Sequence, residues 1–385
     1  MKSFERNINR RETGSVKWLR YEPDILPMWV ADMDFLSPPP VTAALEERVL
    51  QGVFGYPEED TRCAEAMTTW LWEKYRWQVT PDDIILLPGV VNGFNLAAQA
   101  CASPGEGILF QPPAYKPFFD VAPHGGFEEH QAPLIRTSSG RYVIDKDLFR
   151  SAVLPHTAVF LLCNPHNPTG RVLDRSELTF LAETCLKNDL VICSDEIHSD
   201  LVYPPHQHIP IAALDPDIAA RTISLFSPSK TFNVAGLKTA AAVITNPDLR
   251  KTFLAACRGL VGKPNILGTT AFQAAYQSSA DWLDKLLVYL GENRQLVQQF
   301  IAQELPALQA YPPEGTYLAW VDCRNLNLED PYQFFLDEAQ VAFNPGRWFG
   351  DQGKGFVRLN FACPRNTLRE GLDRMKSALD SLDTK

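Results

Sequence analysis

Between about residues 80 and 245 the chain repeats a single pattern. Short, continuously apolar, β-rich runs alternate with longer amphipathic segments. The runs are Ile84–Leu87, Gly107–Phe110, Ala158–Leu162, Leu190–Cys193, Thr222–Phe226 and Ala240–Ile244. A strand with one wet face alternates apolar and polar residues; these do not, so both their faces are covered. The segments between them are helical in period, as in Ser176–Lys187, where Leu178, Leu181, Ala182 and Cys185 fall on one stripe. Strands alternating with helices predict an α/β domain built on a doubly wound sheet.

The ends of the chain differ from the middle. Leu283–Leu305 reads as one long amphipathic helix, with Leu283, Leu286, Leu287, Leu290, Val297, Phe300 and Ile301 on its stripe. Two strand-like segments follow, Tyr317–Val321 and Gly355–Phe361, then a last helix carrying Leu368, Leu372, Met375, Leu379 and Leu382. This is a smaller α+β module, and the Pro-rich start through Pro38-Pro39-Pro40 is expected to pack on it as an extended arm. The expected division is an arm over 1–40, a large domain over 41–285 and a small domain over 286–385, a size suited to 385 residues. The formal charge of -10 disfavours nucleic acid and anionic membrane, which both require a basic face. No apolar run approaches the ~20 residues of a membrane-spanning helix. MKSFERNINRRETG carries charge without an apolar stretch, so no secretory leader is expected. None of the 8 cysteines forms a C-x-x-C pair. Reduced thiols in a cytoplasmic protein are the expectation.

Ligands of open α/β sheets bind beyond the carboxyl ends of the strands, so the residues after each run matter most. Pro88-Gly89-Val90-Val91-Asn92 turns into a helix, and a glycine turn at a helix N-terminus suits a phosphate. Gln111-Pro112-Pro113-Ala114-Tyr115 can project an aromatic ring. Asn164-Pro165-His166-Asn167-Pro168-Thr169-Gly170 holds its asparagines on proline-stiffened backbone. Ser194-Asp195-Glu196-Ile197-His198 offers a carboxylate, and Ser227-Pro228-Ser229-Lys230-Thr231-Phe232-Asn233 a lysine flanked by hydroxyls. Each taken alone has an ordinary reading: a solvated lysine, a capping aspartate, a turn asparagine, a core tyrosine. Five successive strand ends carrying parts of one site do not.

Together the parts suit pyridoxal 5'-phosphate. That cofactor needs a lysine for its aldehyde, a carboxylate on its ring nitrogen, a phosphate cradle and a stacking ring. Lys230, Asp195, Asn167 at the ring 3-oxygen and Tyr115 on the ring face fill these roles. Gly89, Val90, Val91, Ser227 and Ser229 are placed for the phosphate. A nicotinamide site calls for G-x-G-x-x-G after the first strand, and neither that motif nor a Walker A motif is present.

The series N-P-H-N-P-T-G, S-D-E-I-H and S-P-S-K-T-F-N resembles the fold type I, class I/II aminotransferase family of pyridoxal-phosphate enzymes. P-M-W-V-A-D-M-D-F over 27–35, G-V-F-G-Y over 52–56, T-Y-L-A-W over 316–320 and G-F-V-R-L-N over 355–360 resemble its cystathionine β-lyase and cysteine-S-conjugate β-lyase branch. The resemblance implies an aspartate-aminotransferase-like fold with a mostly parallel seven-stranded sheet. It implies Lys230 as the Schiff-base lysine and general base, Asp195 as the pyridinium partner, and Tyr115 as stacking ring and auxiliary in catalysis. His198 stands where many aminotransferases carry tyrosine. Arg358, with Asn167, Trp29 and Asp32, is implied at the substrate, Arg358 gripping its α-carboxylate. Tyr56 is implied to reach the phosphate of a second subunit, and hence a homodimer with shared sites. Val357, Leu359 and Phe361 alternate with Arg358 and Asn360, so Arg358 is expected to face away from the apolar side. One position departs from the pattern: Lys238 stands where an arginine usually binds the phosphate, keeping the charge but losing the fork.

The reaction implied is β-elimination from cystathionine or a related cysteine S-conjugate, giving pyruvate, ammonia and a thiol. Transamination of an L-amino acid with a 2-oxo acid uses the same parts and is the alternative. A regulatory protein-binding role is a third reading. No metal site is expected: His206 and His208 form H-x-H in a Pro-rich loop with no further ligand beside them. Trp70, Trp72 and Trp77 are assigned to core or subunit packing, and Glu58-Glu59-Asp60 to a solvated turn or helix start.

Overall fold

The computed structural model describes residues 3–56 and 61–382. The Glu58-Glu59-Asp60 turn lies outside them. Seven strands form the central sheet: β1 (Ile84–Leu87), β2 (Gly107–Phe110), β3 (Glu128–Gln131), β4 (Thr157–Cys163), β5 (Val191–Asp195), β6 (Thr222–Phe226) and β7 (Ala240–Val243). Their spatial order is β1-β7-β6-β5-β4-β2-β3. Only β7 runs antiparallel, to both β1 and β6; the other pairings are parallel. The α/β expectation is met, with a mostly parallel sheet whose catalytic-side strand ends share one rim.

The continuous apolar runs serve two cores. Within β4, Val159 and Leu161 enter one cluster with Phe94 and Ile223, while Phe160 and Leu162 enter another with Leu181 and Ile192. Pleating sends successive side chains to opposite faces, so a strand covered on both sides must be apolar throughout. Two helices illustrate the covering layers. In α1 (Val90–Cys101), Gly93 lets the helix lie close on the sheet, since a Cβ there would stand 2.8 Å from a Leu225 methyl. The other, α2 (Arg175–Lys187), starts at a capping box in which Asp174 and Glu177 answer each other's backbone N–H groups.

A second sheet has the order β8-β9-β11-β10, from β8 (Gln309–Ala310), β9 (Leu318–Asp322), β10 (Asn344–Pro345) and β11 (Phe356–Asn360). It packs with α3 (Ala280–Glu304) and α4 (Arg365–Leu382). The α3 helix is continuous through residue 285, where the sequence places a domain boundary. The N-terminal arm does meet this module. Leu26–Pro27 pairs in parallel with Val341–Ala342, and Asn360 N–H donates to Met28 O at 3.0 Å. The proline run is not extended throughout, because Pro39 and Pro40 form the first turn of the helix Pro39–Leu50. A first-turn residue needs no N–H partner, so proline is at home there.

A buried ion pair joins the two parts. Arg171 follows the Asn167 loop and lies 3.1 Å from Glu314, both side chains 2% exposed. Glu314 also accepts from Val172 N–H at 2.9 Å and from Arg141 at 2.9 Å. Without Glu314, Arg171 keeps Glu177 at 2.6 Å, but its Nε and the Val172 N–H lose their acceptor inside the protein. Glu314→Ala is therefore expected to lower unfolding stability by about 2–3 kcal/mol, read from the urea midpoint at unchanged slope. A loss under about 1 kcal/mol would place this pair with ordinary surface pairs.

Candidate functional site

The lysine-bearing turn is anchored from behind. Ser227 caps it by accepting the Ser229 N–H at 3.2 Å, and lies 2.7 Å from Thr239 O. A carbonyl only accepts, so the single Ser227 proton is engaged there. The Ser229 hydroxyl, 2.8 Å from Ser227 Oγ, then donates to it. Thr231, next to Lys230, donates to Asp200 at 3.0 Å, and Asp200 also accepts from Trp70 at 2.9 Å and Tyr75 at 2.6 Å. Trp70 and Trp77 are core residues, whereas Trp72 is about half exposed on the surface.

Asn233, at the end of the same run, clamps the N-terminal arm. It accepts from Met33 N–H at 3.0 Å and donates to Met33 O at 3.1 Å and Phe35 O at 2.8 Å. The arm thereby brings Ala31 O to the lysine: Lys230 Nζ donates to it at 2.6 Å and Tyr317 Oη at 3.1 Å. Burial lowers the Lys230 pKa to about 8, with Arg358 and Lys238 pushing the same way and Asp32 and Asp195 opposing.

Asp195 is the last residue of β5 and is buried. It accepts from Ile197 N–H at 3.0 Å. Burial raises its pKa to about 7, and nearby Glu196 adds to the rise while Lys230 opposes it. The environment thus calls for a cation against this carboxylate. His198 is buried beside the Tyr317 ring, centroids 6.2 Å apart, and its Nδ1 has no hydrogen-bond partner. Burial and the charges of Lys230 and Arg358 drop its pKa to about 3, so the imidazole is neutral. Burial also raises the Tyr115 phenol, with Arg358 pulling it down and Asp195 pushing it up, so Tyr115 stands within reach of both charges.

Arg358 is 4% exposed. It does leave the strand opposite Val357 and Leu359, but that face is covered as well. Phe349 lies under its guanidinium at 4.9 Å, and Asn167 and Asn344 accept from it at 2.7 and 2.6 Å. Its Nε has no partner, and burial lowers its pKa to about 10. A buried guanidinium with no carboxylate against it favours an anionic ligand.

The remaining sequence candidates are placed as follows. Gly89, φ 157°, is the N-cap of α1 and brings no capping side chain, leaving the N–H groups of Val90 and Val91 at the helix start. Lys238 is exposed in the left-handed region, φ 52°, and its charge acts on Lys230. Tyr56 is fully exposed. The Asp32 carboxylate is held by both terminal nitrogens of Arg10 at 2.9 Å, and the Trp29 N–H donates to Lys17 O at 3.0 Å. These two therefore support the arm around Ala31. His208 pairs with buried Glu196 at 2.5 Å, whose other oxygen accepts from Ser194 at 2.7 Å. Asn344, Tyr317 and Asn233 carry structural roles in the site that the sequence reading did not assign. An Asn-Pro pair and a tyrosine inside a strand motif are weak signals by themselves.

A lysine, a carboxylate, an amide, a helix N-terminus and a buried arginine thus meet at one rim of one sheet. A family profile described as aminotransferase class I and II matches residues 24–375. The chain belongs to this family. The cystathionine beta-lyase PatB of Bacillus subtilis (strain 168) is 39% identical over 386 residues, covering 98% of this chain and 100% of the relative. The crystal structure of cystalysin from Treponema denticola, which contains a pyridoxal 5'-phosphate cofactor, matches with a TM-score of 0.95 at 32% identity. That match covers 98% of this chain and 99% of cystalysin. The PLP-bound C-S lyase from Staphylococcus hominis matches with a TM-score of 0.92 at 33% identity, covering 98% of each chain. Among the described residues no helix is long and apolar enough to cross a membrane.

Proposed function

We propose that the protein is a pyridoxal-phosphate-dependent C–S β-lyase that cleaves cystathionine or related L-cysteine S-conjugates to pyruvate, ammonia and a thiol. The observation that carries the lyase reading is the end-to-end likeness to a cystathionine β-lyase, combined with a buried amine, carboxylate and guanidinium close enough for the charges of the last two to act on the first. The donor set fits the cofactor: Arg358 Nε and His198 Nδ1 are buried without hydrogen-bond partners, and the uncapped start of α1 offers N–H groups to a phosphate. When bound, pyridoxal phosphate supplies an aldehyde for the substrate amine and a cationic ring that takes up the charge left by the α-proton.

Lys230 would hold the cofactor through its aldehyde, and its amine is the base placed to take the substrate α-proton. Its depressed pKa gives a substantial neutral fraction near neutral pH, as a base requires. Asp195 would hold a proton on the ring nitrogen, and a cation there would keep its own carboxylate ionised. Asn167 serves the ring 3-oxygen and Tyr115 the ring face. Val90 and Val91 N–H, Ser229 and Lys238 hold the phosphate, while Ser227 fixes the turn behind them. Arg358 receives the substrate α-carboxylate, already aimed by Asn167 and Asn344. In the overall change the Cα–H and Cβ–S bonds break, the thiolate takes a proton, and one water converts the remaining fragment to pyruvate and ammonia.

We also read the protein as a cytoplasmic homodimer. Val49, Leu50, Val53, Phe54 and Tyr56 form an exposed apolar stretch, which supports a second subunit lying there with Tyr56 reaching across. Among the described residues the eight cysteines form no disulfide, which supports a reducing compartment. The division into a large cofactor domain and a small domain built from both chain ends belongs to the same reading.

The deciding assay incubates the purified holoenzyme with cystathionine and, separately, S-methylcysteine, measuring pyruvate and free thiol. Equimolar pyruvate and thiol without added 2-oxo acid is the expected result. Amino transfer that requires a 2-oxo acid and yields no pyruvate would overturn the lyase reading.

A further inference from the structure

On the opposite rim of the central sheet, three side chains converge at the amino ends of the strands. Glu128 and His130 stand two apart on β3, so both leave the same face. His156 immediately precedes β4. Between them lies Gly107, the first residue of β2, paired with Glu128 on one side and Thr157 on the other. A Cβ at Gly107 would lie 2.1 Å from His130 Cε1, so only glycine leaves room for this ring.

His130 is 8% exposed. Its Nδ1 is 2.8 Å from the Thr157 hydroxyl, which fixes the ring, while its Nε2 is buried with no hydrogen-bond partner. Glu128 Oε2 stands 3.6 Å from that nitrogen and 2.7 Å from His156 Nε2. One ligand atom from each of the three residues lies within 4.8 Å of the others. The two imidazoles meet edge to face at 5.0 Å. An ordinary Glu–His surface pair would account for Glu128 and His156. It leaves the buried His130 nitrogen unsatisfied, at a cost a hydrogen bond or cation removes.

We propose that Glu128, His130 and His156 bind one divalent transition cation of the zinc class, with water as fourth ligand. Two imidazole nitrogens and one carboxylate oxygen are a zinc donor set. Tetrahedral bonds of about 2.0–2.1 Å separate ligand atoms by about 3.4 Å. The 3.6 Å pair already meets this, and the exposed Glu128 and His156 side chains are free to open the closer one. Thr157 supplies the outer hydrogen bond that orients a metal-binding histidine. The cation ties the edge strand β3 to β4 across β2. The site stands apart from Lys230, on the other rim, and the proposal does not rest on the lyase reading.

The test is calorimetric titration of chelator-stripped holoenzyme with Zn²⁺ alone. Wild type is expected to take one tight equivalent and gain a few degrees in Tm. Glu128→Gln and His156→Ala, both on exposed side chains, are each expected to weaken that equivalent at least about tenfold and abolish the Tm gain, with pyruvate formation unchanged. No stoichiometric equivalent, or an equivalent of unchanged affinity in both variants, would overturn the proposal.

Discussion

Lys230→Ala is expected to lower thiol release from cystathionine by about 10³–10⁴-fold and to abolish the visible absorption of the lysine-linked cofactor. Two roles are lost together. The amine that bonds the aldehyde is gone, and so is the base that takes the α-proton. The turn itself should persist, because its anchors lie elsewhere: Ser227 on Thr239 O, Thr231 on Asp200 and Asn233 on the arm. Alanine also removes the Lys230 bond to Ala31 O, a carbonyl that Tyr317 still reaches. Unchanged circular dichroism and Tm with lost absorption is the signature sought; a variant keeping more than about a tenth of wild-type turnover would exclude Lys230 as the base. The pH dependence follows from the same burial. A folded-state pKa depressed to about 8 means the amine is neutral above about pH 8, whereas a solvated lysine waits until about 10.5. Cofactor attachment to the stripped enzyme should therefore quicken as pH rises through 8 and level off above it, followed by the same absorption band.

Asp195→Asn should reduce turnover by about 10²–10³-fold while leaving the cofactor attached. The amide is nearly isosteric and can still accept the Ile197 N–H. What it cannot do is hold a proton on the ring nitrogen by charge. Burial sharpens the contrast: the carboxylate is pushed up to about 7 when alone, so a cation against it is strongly favoured. The measurement is kcat with cystathionine together with the absorption of bound cofactor. Retained absorption with collapsed kcat supports the assignment, and a kcat within about threefold of wild type would remove Asp195 from the chemistry.

The sheet was legible because its strands are covered on both faces, so hydrophobicity alone marks them. β3 was not, and the reason is visible in its residues: Glu128, Glu129, His130 and Gln131 form an edge strand whose outer face meets water. The pattern rule that finds buried strands passes over it. The alternation at Arg358 indicated the correct side of the strand, yet suggested an open face. Burial there comes from Phe349, Asn167 and Asn344, which stand 9, 191 and 14 residues away in sequence. Pro39 and Pro40 looked like a stiff extended segment, but proline is equally suited to a helix's first turn, and packing chose the helix.

The chain's own residue order determined the α/β class, the strand ends that carry Lys230, Asp195, Asn167 and Tyr115, and the cofactor chemistry those types suit. Each of these depends on local pattern, and local pattern is written in consecutive residues. Only the tertiary structure decided what holds those groups and tunes them. Ala31 meets Lys230 Nζ through an arm clamped by Asn233, and Asp32 is held by Arg10. Three residues with no motif between them, Glu128, His130 and His156, gather where Gly107 makes room. Desolvation and Coulomb fields depend on distance through space rather than along the chain, so neither the depressed lysine nor the unpartnered histidine could be read before the fold brought their neighbours together.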